Sequence, residues 1–129
     1  PGQYGLGGIV RGGNTLYAST VRADWEAGTD GVARRLVAFD VTDPTSPTRV
    51  HLGEDLGVGG RFAVRGDKLF ASANYEGVLV FDLRNPHEPE LEGSIEVPAN
   101  VMGLHFVEDT LYVAGRGAGI VPILVGRTE

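Results

Sequence analysis

A repeated pattern constrains the fold of this chain more than any other sequence feature. Three runs that begin with Leu and an aromatic residue occupy Leu16–Ser19, Leu69–Ser72 and Leu111–Ala114. The second and third runs start 42 residues apart, and the first and second start 53 apart. Spacings of ~40–50 residues are typical of a chain built from copies of one supersecondary unit. We therefore expect three copies of one unit.

A second strand-like run recurs in the first two copies. It reads LVAFD at Leu36–Asp40 and VLVFD at Val78–Asp82, again 42 residues apart, and each time a turn with two prolines follows. The first copy is longer than the second between its two runs. This difference places an insertion of 11 residues within Val21–Arg35, where we expect an exposed loop.

Glycine and proline favour β-structure. The 129 residues include 20 Gly and 7 Pro, which break helices and separate short strands, while 42% hydrophobic residues are enough for a globular core. Apolar and β-branched runs predict four strands in the second copy, at Arg61–Val64, Leu69–Ala73, Gly77–Leu83 and Glu90–Ile95. Four antiparallel strands in ~42 residues are typical of a propeller blade.

The repeated residues resemble the LVIVD repeat of β-propellers. Asn14–Ala18 followed by Arg35–Pro47 in the first copy, and Gly77–Pro89 in the second, are similar to its pattern of Gly turn, aromatic-plus-Ala strand, Leu-Val-Ile-Val-Asp strand and Asp-Pro-x-x-Pro turn. The resemblance covers about residues 8 to 125. It implies a bacterial or archaeal propeller, often secreted or displayed on the cell surface, and it implies little about activity.

The third copy departs from this pattern. Pro122 stands where the second copy has Val80, Leu124 stands where it has Asp82, and no proline turn follows before Glu129. We therefore expect an all-β fold, a single-domain β-propeller arc of about three four-stranded blades with the last blade incomplete. The expected blades are about 3–54 with the insertion at 21–35, about 55–97, and about 98–129 without a fourth strand.

An arc of three blades would leave two blade faces bare, and large bare apolar faces are association surfaces. We expect Ile9, Leu36 and Phe39 on one of these faces and Phe106, Leu111 and Val121 on the other. The chain is therefore not expected to exist as a lone monomer. Either chains associate into a ring, with two chains giving six blades, or the chain is a fragment of a longer propeller.

The candidate ligand-binding residues lie on the predicted loop face. Trp25, the only Trp, falls in the insertion, where it either anchors a sugar ring or protein partner or packs on the blade edge. Tyr75 and Arg116 lie in the equivalent loops of the other copies. His105 falls in the innermost strand of the third copy, where it either faces the central channel as a ligand or acid–base group or is a hydrogen-bonded structural residue.

Metal and cofactor sites are not expected. Asp24, Glu26 and Asp30 form an incomplete calcium pattern, because Gly28 stands where a further acid is needed and no bidentate Glu follows at the right distance. A solvated acidic loop is the alternative interpretation. The three His residues do not occupy equivalent positions in the copies, and the chain has no Cys, which excludes disulfides and thiolate sites.

Other signals exclude several function classes. The net charge of -6 argues against a general nucleic-acid binder, and no apolar run reaches the ~18 residues of a membrane span. Phosphate loops, Gly-x-Ser-x-Gly and His-Glu-x-x-His are absent from the sequence. Asp40 and Asp82 repeat at one position, so we expect them to cap the following turn rather than to catalyse a reaction.

The sequence therefore predicts a non-catalytic binding or assembly module. Its expected partner is another protein chain, as a homo-oligomer or as subunits of a parent complex, and the resemblance places it outside the cell or in the periplasm. The alternative is an enzyme or glycan-binding propeller that holds a small or carbohydrate substrate on the loop face, where a deep pocket with a perturbed His or carboxylate would be expected.

Overall fold

The protein is an all-β chain of three antiparallel sheets. The computed structural model describes residues 6–20, 34–73, 77–97, 100–117 and 119–125, and these residues form eleven strands and no helix. The first sheet has the order β1 (Leu6–Gly12), β2 (Thr15–Thr20), β3 (Arg35–Asp40), β4 (Thr48–Asp55). The second has the order β5 (Val58–Arg65), β6 (Lys68–Ala73), β7 (Val78–Asp82), β8 (Glu90–Ile95). The third has the order β11 (Gly119–Leu124), β10 (Thr110–Gly115), β9 (Val101–Val107).

The predicted all-β class is confirmed, and the four strands expected in the second copy are found within three residues of their predicted ends.

The hairpin turn between the first two strands of each sheet uses a residue with positive φ at one repeat position. Gly13 and Gly66 have φ of 62° and 60°, where a glycine carries no penalty, and Glu108 has φ of 54°. The insertion at Val21–Arg35 lies outside the described residues except at its last two positions.

The first strands of the sheets hold the three sheets together. Strand β1 contacts β5, and β5 contacts β9. Gly8, with φ of 70°, lies against Gly60 so closely that a β-carbon on Gly8 would overlap the Gly60 carbonyl oxygen. Glycine is therefore needed at the contact between β1 and β5, because only a residue without a side chain allows the two backbones to approach.

The second sheet is covered on both faces because successive side chains of a strand point to opposite sides. Leu69 and Ala71 belong to the cluster between the first and second sheets, together with Tyr17 and Leu36. Phe70, which lies between Leu69 and Ala71 on β6, belongs instead to the cluster between the second and third sheets. The core therefore consists of two apolar layers, one on each side of the second sheet.

The repeated acids have the predicted structural role. Asp40 accepts hydrogen bonds from the backbone N–H of Thr42 at 3.0 Å and from its hydroxyl at 2.7 Å. Asp82 accepts one from the backbone N–H of Arg84 at 2.8 Å. The hydrogen bonds from the Thr42 hydroxyl and backbone lower the pKa of the Asp40 carboxyl below its ordinary value. A side-chain hydrogen bond from Arg84 Nε at 2.8 Å, followed by the backbone bond, lowers the pKa of Asp82. Both acids thus fix the turn that follows the third strand of their sheet.

The expectation about bare faces is wrong for four residues. Leu36 is buried between the first and second sheets, and Leu111 is fully buried between the second and third, where Phe106 and Val121 also pack. Neighbouring apolar residues on these strands face opposite sides, and these four residues are the ones that point inward. Ile9 is 64% exposed, as expected, and Phe39 is half-buried.

Candidate interaction surface

The face of the third sheet that points away from the second sheet is the candidate functional surface. Strand pairing places its residues in three cross-strand rows. We call these nine residues the outer face of the third sheet: Val107, Thr110 and Leu124; His105, Tyr112 and Pro122; Gly103, Ala114 and Ile120.

The outer face is apolar and open to solvent. Leu124 is 79% exposed, Ile120 71%, Val107 51% and Tyr112 38%. Scattered exposed hydrophobic residues are ordinary, but contiguous apolar patches are characteristic of interaction sites. The inward face of the same sheet packs against the second sheet, so only the outer face remains for a further contact.

The repeat shows how unusual this exposure is. Tyr17, Phe70 and Tyr112 occupy the same position in the three copies. Tyr17 is fully buried against the second sheet, and its hydroxyl donates a hydrogen bond to the Pro86 carbonyl oxygen at 2.8 Å. Phe70 packs edge to face on Phe106 of the third sheet, with ring centroids 5.0 Å apart. Each of these two aromatic residues thus contacts the next sheet, while Tyr112 has no next sheet among the described residues.

The outer face of the third sheet also lacks charged residues that the second sheet carries at equivalent positions. Row by row, Val107, Thr110 and Leu124 stand where the second sheet has Arg65, Lys68 and Asp82. Those three charged residues form ion pairs with Asp109, Glu92 and Arg84, respectively. Their replacement leaves this cross-strand row of the third sheet without a charged side chain, which lowers the desolvation cost of covering the row with another surface.

The opposite end of the stack offers less open surface. The outer face of the first sheet carries the cross-strand row Ile9, Ala18, Val37 and Leu52. Ala18 and Val37 at the middle of this row are buried, while Ile9 and Leu52 at its ends are 64% and 38% exposed. The two ends of the stack are therefore not equivalent.

The sequence-predicted ligand residues are not brought together where the structure describes them. His105 is exposed and pairs with Tyr112 on the outer face of the third sheet. Arg116 is exposed beyond the end of β10, four residues past Tyr112, which is about 14 Å along an extended strand. Its backbone N–H donates to the Asn100 carbonyl oxygen at 2.9 Å. Trp25 and Tyr75 lie outside the described residues.

The calcium candidates Asp24, Glu26 and Asp30 also lie outside the described residues. Within the described part of the chain, no cluster of three or more His, Asp or Glu side chains is arranged to hold a metal ion.

Within the described residues, the first and second sheets leave two open clefts between them. One of about 530 Å³ is lined by His51, Glu54 and Arg35 together with apolar residues of β4 and β8, and burial lowers the pKa of His51. Arg35 donates a hydrogen bond to the Gly53 carbonyl oxygen at 3.0 Å, so it joins β3 to β4. The other cleft, of about 580 Å³, lies between the hairpin turns of the two sheets and includes Asp40 and His87.

Both clefts run along the seam between the first and second sheets and are open to solvent. The Asp40 carboxylate in the second cleft already accepts two hydrogen bonds from Thr42. Burial lowers the pKa of His51 in the first cleft, as is ordinary for a half-buried His.

Sequence reasoning missed the outer face of the third sheet as a whole. The signal was present in the 42-residue offset, because comparing Arg65, Lys68 and Asp82 with their third-copy counterparts shows the loss of three charges. Only the departure at Leu124 was noticed from the sequence. Strand pairing is needed to see that the three changes share one row on one face.

Comparisons with known proteins returned no match, either to a protein-family model or to a curated protein. In the described residues, no helix has the length and apolar character needed to cross a bilayer.

Proposed function

We propose that the chain is a non-catalytic assembly module. Its three sheets are blades of the β-propeller type, and the outer face of the third sheet is covered by a further β-sheet, from another chain or from more of a longer protein. The contacts between β1 and β5 and between β5 and β9 support this, because the first strands of neighbouring blades meet in a propeller.

One observation carries the proposal. Tyr112, Ile120 and Leu124 are exposed on the third sheet, whereas the residues at the Tyr112 position in the other two sheets, Tyr17 and Phe70, are buried against a neighbouring sheet. The chain thus carries a surface whose repeat equivalents are interfaces. Burial of such a surface is favourable at about 25 cal/mol per Å² of apolar area.

The resemblance to the LVIVD repeat agrees with this proposal, since such repeats build propellers. The closed ring expected from the sequence, with two chains giving six blades, stays a prediction. A closed ring needs an open outer face on the first sheet as well as on the third. Because Ala18 and Val37 at the centre of the first sheet's outer face are buried, that face supports the ring less than the third sheet does.

Molar mass measured by light scattering, over micromolar to millimolar concentrations, tests the proposal. The unmodified chain should exceed 13.6 kDa as concentration rises, and the variant Ile120→Glu/Leu124→Glu should remain at 13.6 kDa with an unchanged β-sheet circular dichroism spectrum. Leu91→Glu is the matched control, because Leu91 is an exposed leucine on β8 of the second sheet, and it should associate like the unmodified chain.

A cooperatively folded chain that stays at 13.6 kDa throughout would contradict the proposal that another chain covers this face. So would association of Ile120→Glu/Leu124→Glu with the affinity of the unmodified chain, because the two charges lie in the proposed contact.

A further inference from the structure

We draw no further inference here: the strongest candidate, the open cleft of about 530 Å³ that His51, Leu52 and Leu91 line along the seam between the first and second sheets, brings two exposed leucines beside a half-buried histidine, but nothing among the described residues shows what occupies it.

Discussion

Replacing two leucines by alanine, one at a time, separates the interior of the stack from its open face. Leu69 is fully buried on β6, between the first and second sheets, with Phe81 beside it in the same cluster. Leu124 is 79% exposed on β11. The chemical change is the same in Leu69→Ala and Leu124→Ala, so any difference reports the environment.

The expected magnitudes follow from this burial. Leu69→Ala leaves a cavity between two sheets that cannot collapse freely, and we expect a loss of about 3–4 kcal/mol, within the usual 2–5 for buried leucines. Leu124→Ala should change the stability of the monomer by less than about 0.5 kcal/mol. Leu124→Ala should weaken association by about 1–2 kcal/mol. An exposed leucine gains most of its ~1.5–3 kcal/mol of burial free energy only when a partner covers it. The dissociation constant should therefore rise about tenfold.

Urea unfolding at a concentration too low for association gives the first two values, and sedimentation equilibrium gives the third. A loss of stability for Leu124→Ala in the dilute monomer equal to that of Leu69→Ala would refute the assignment of an exposed outer face. A loss below about 0.5 kcal/mol for Leu69→Ala would refute the packing between the first two sheets.

The remaining predictions concern single contacts and pH. Tyr17→Phe removes the hydrogen bond to the Pro86 carbonyl and should lower the free energy of unfolding by about 1 kcal/mol in urea titration. Glu108→Gly should raise the unfolding midpoint by the equivalent of about 0.5–1 kcal/mol, because Gly adopts the positive φ at this turn without a steric penalty; a decrease would contradict the strain assigned there. The Asp82 carboxyl has a lowered pKa in the folded chain, so its contribution is present above its ordinary value of 3.8 and is lost as pH falls through the folded pKa; Asp82→Asn should flatten the acid limb of the stability curve. Burial lowers the pKa of His51 below 6.5, so protonation favours the unfolded chain and stability should decrease as pH falls below that value; the same slope in His51→Gln would exclude this histidine as the cause.

The repeat made much of the local structure predictable. Turn residues such as Gly66 and Asp67, and the apolar runs between turns, recur at a fixed offset, so each copy supports the assignment of the others. The caps formed by Asp40 and Asp82 were predictable for the same reason. A polar residue that recurs in every complete copy has a role in the unit itself.

The orientation of side chains was not predictable in the same way. Leu111 and Tyr112 are adjacent and both apolar, so the sequence lacks the alternation that would mark one face as buried. Only packing decides that Leu111 points toward the second sheet and Tyr112 away from it. The predicted bare surface was therefore assigned to inward-facing residues such as Leu111 and Val121.

His105 and Arg116, the two candidate ligand residues that the structure describes, lie apart for a related reason. His105 and Arg116 were grouped because they belong to one predicted face of a propeller, but position along a strand matters as much as the face. Arg116 lies past the end of β10, four residues beyond the Tyr112 that pairs with His105, which is about 14 Å along an extended chain.

Hydroxyl-radical footprinting of the unmodified chain at low and high concentration tests most directly whether the outer face of the third sheet is an association surface. Modification of Tyr112, Ile120 and Leu124 should fall as concentration rises, because association covers them. Modification of Ile9 and Leu91, which are 64% and 47% exposed, should stay constant as the internal reference. Equal modification of Tyr112, Ile120 and Leu124 at both concentrations, in a sample that light scattering shows to be associated, would contradict the assignment of this face.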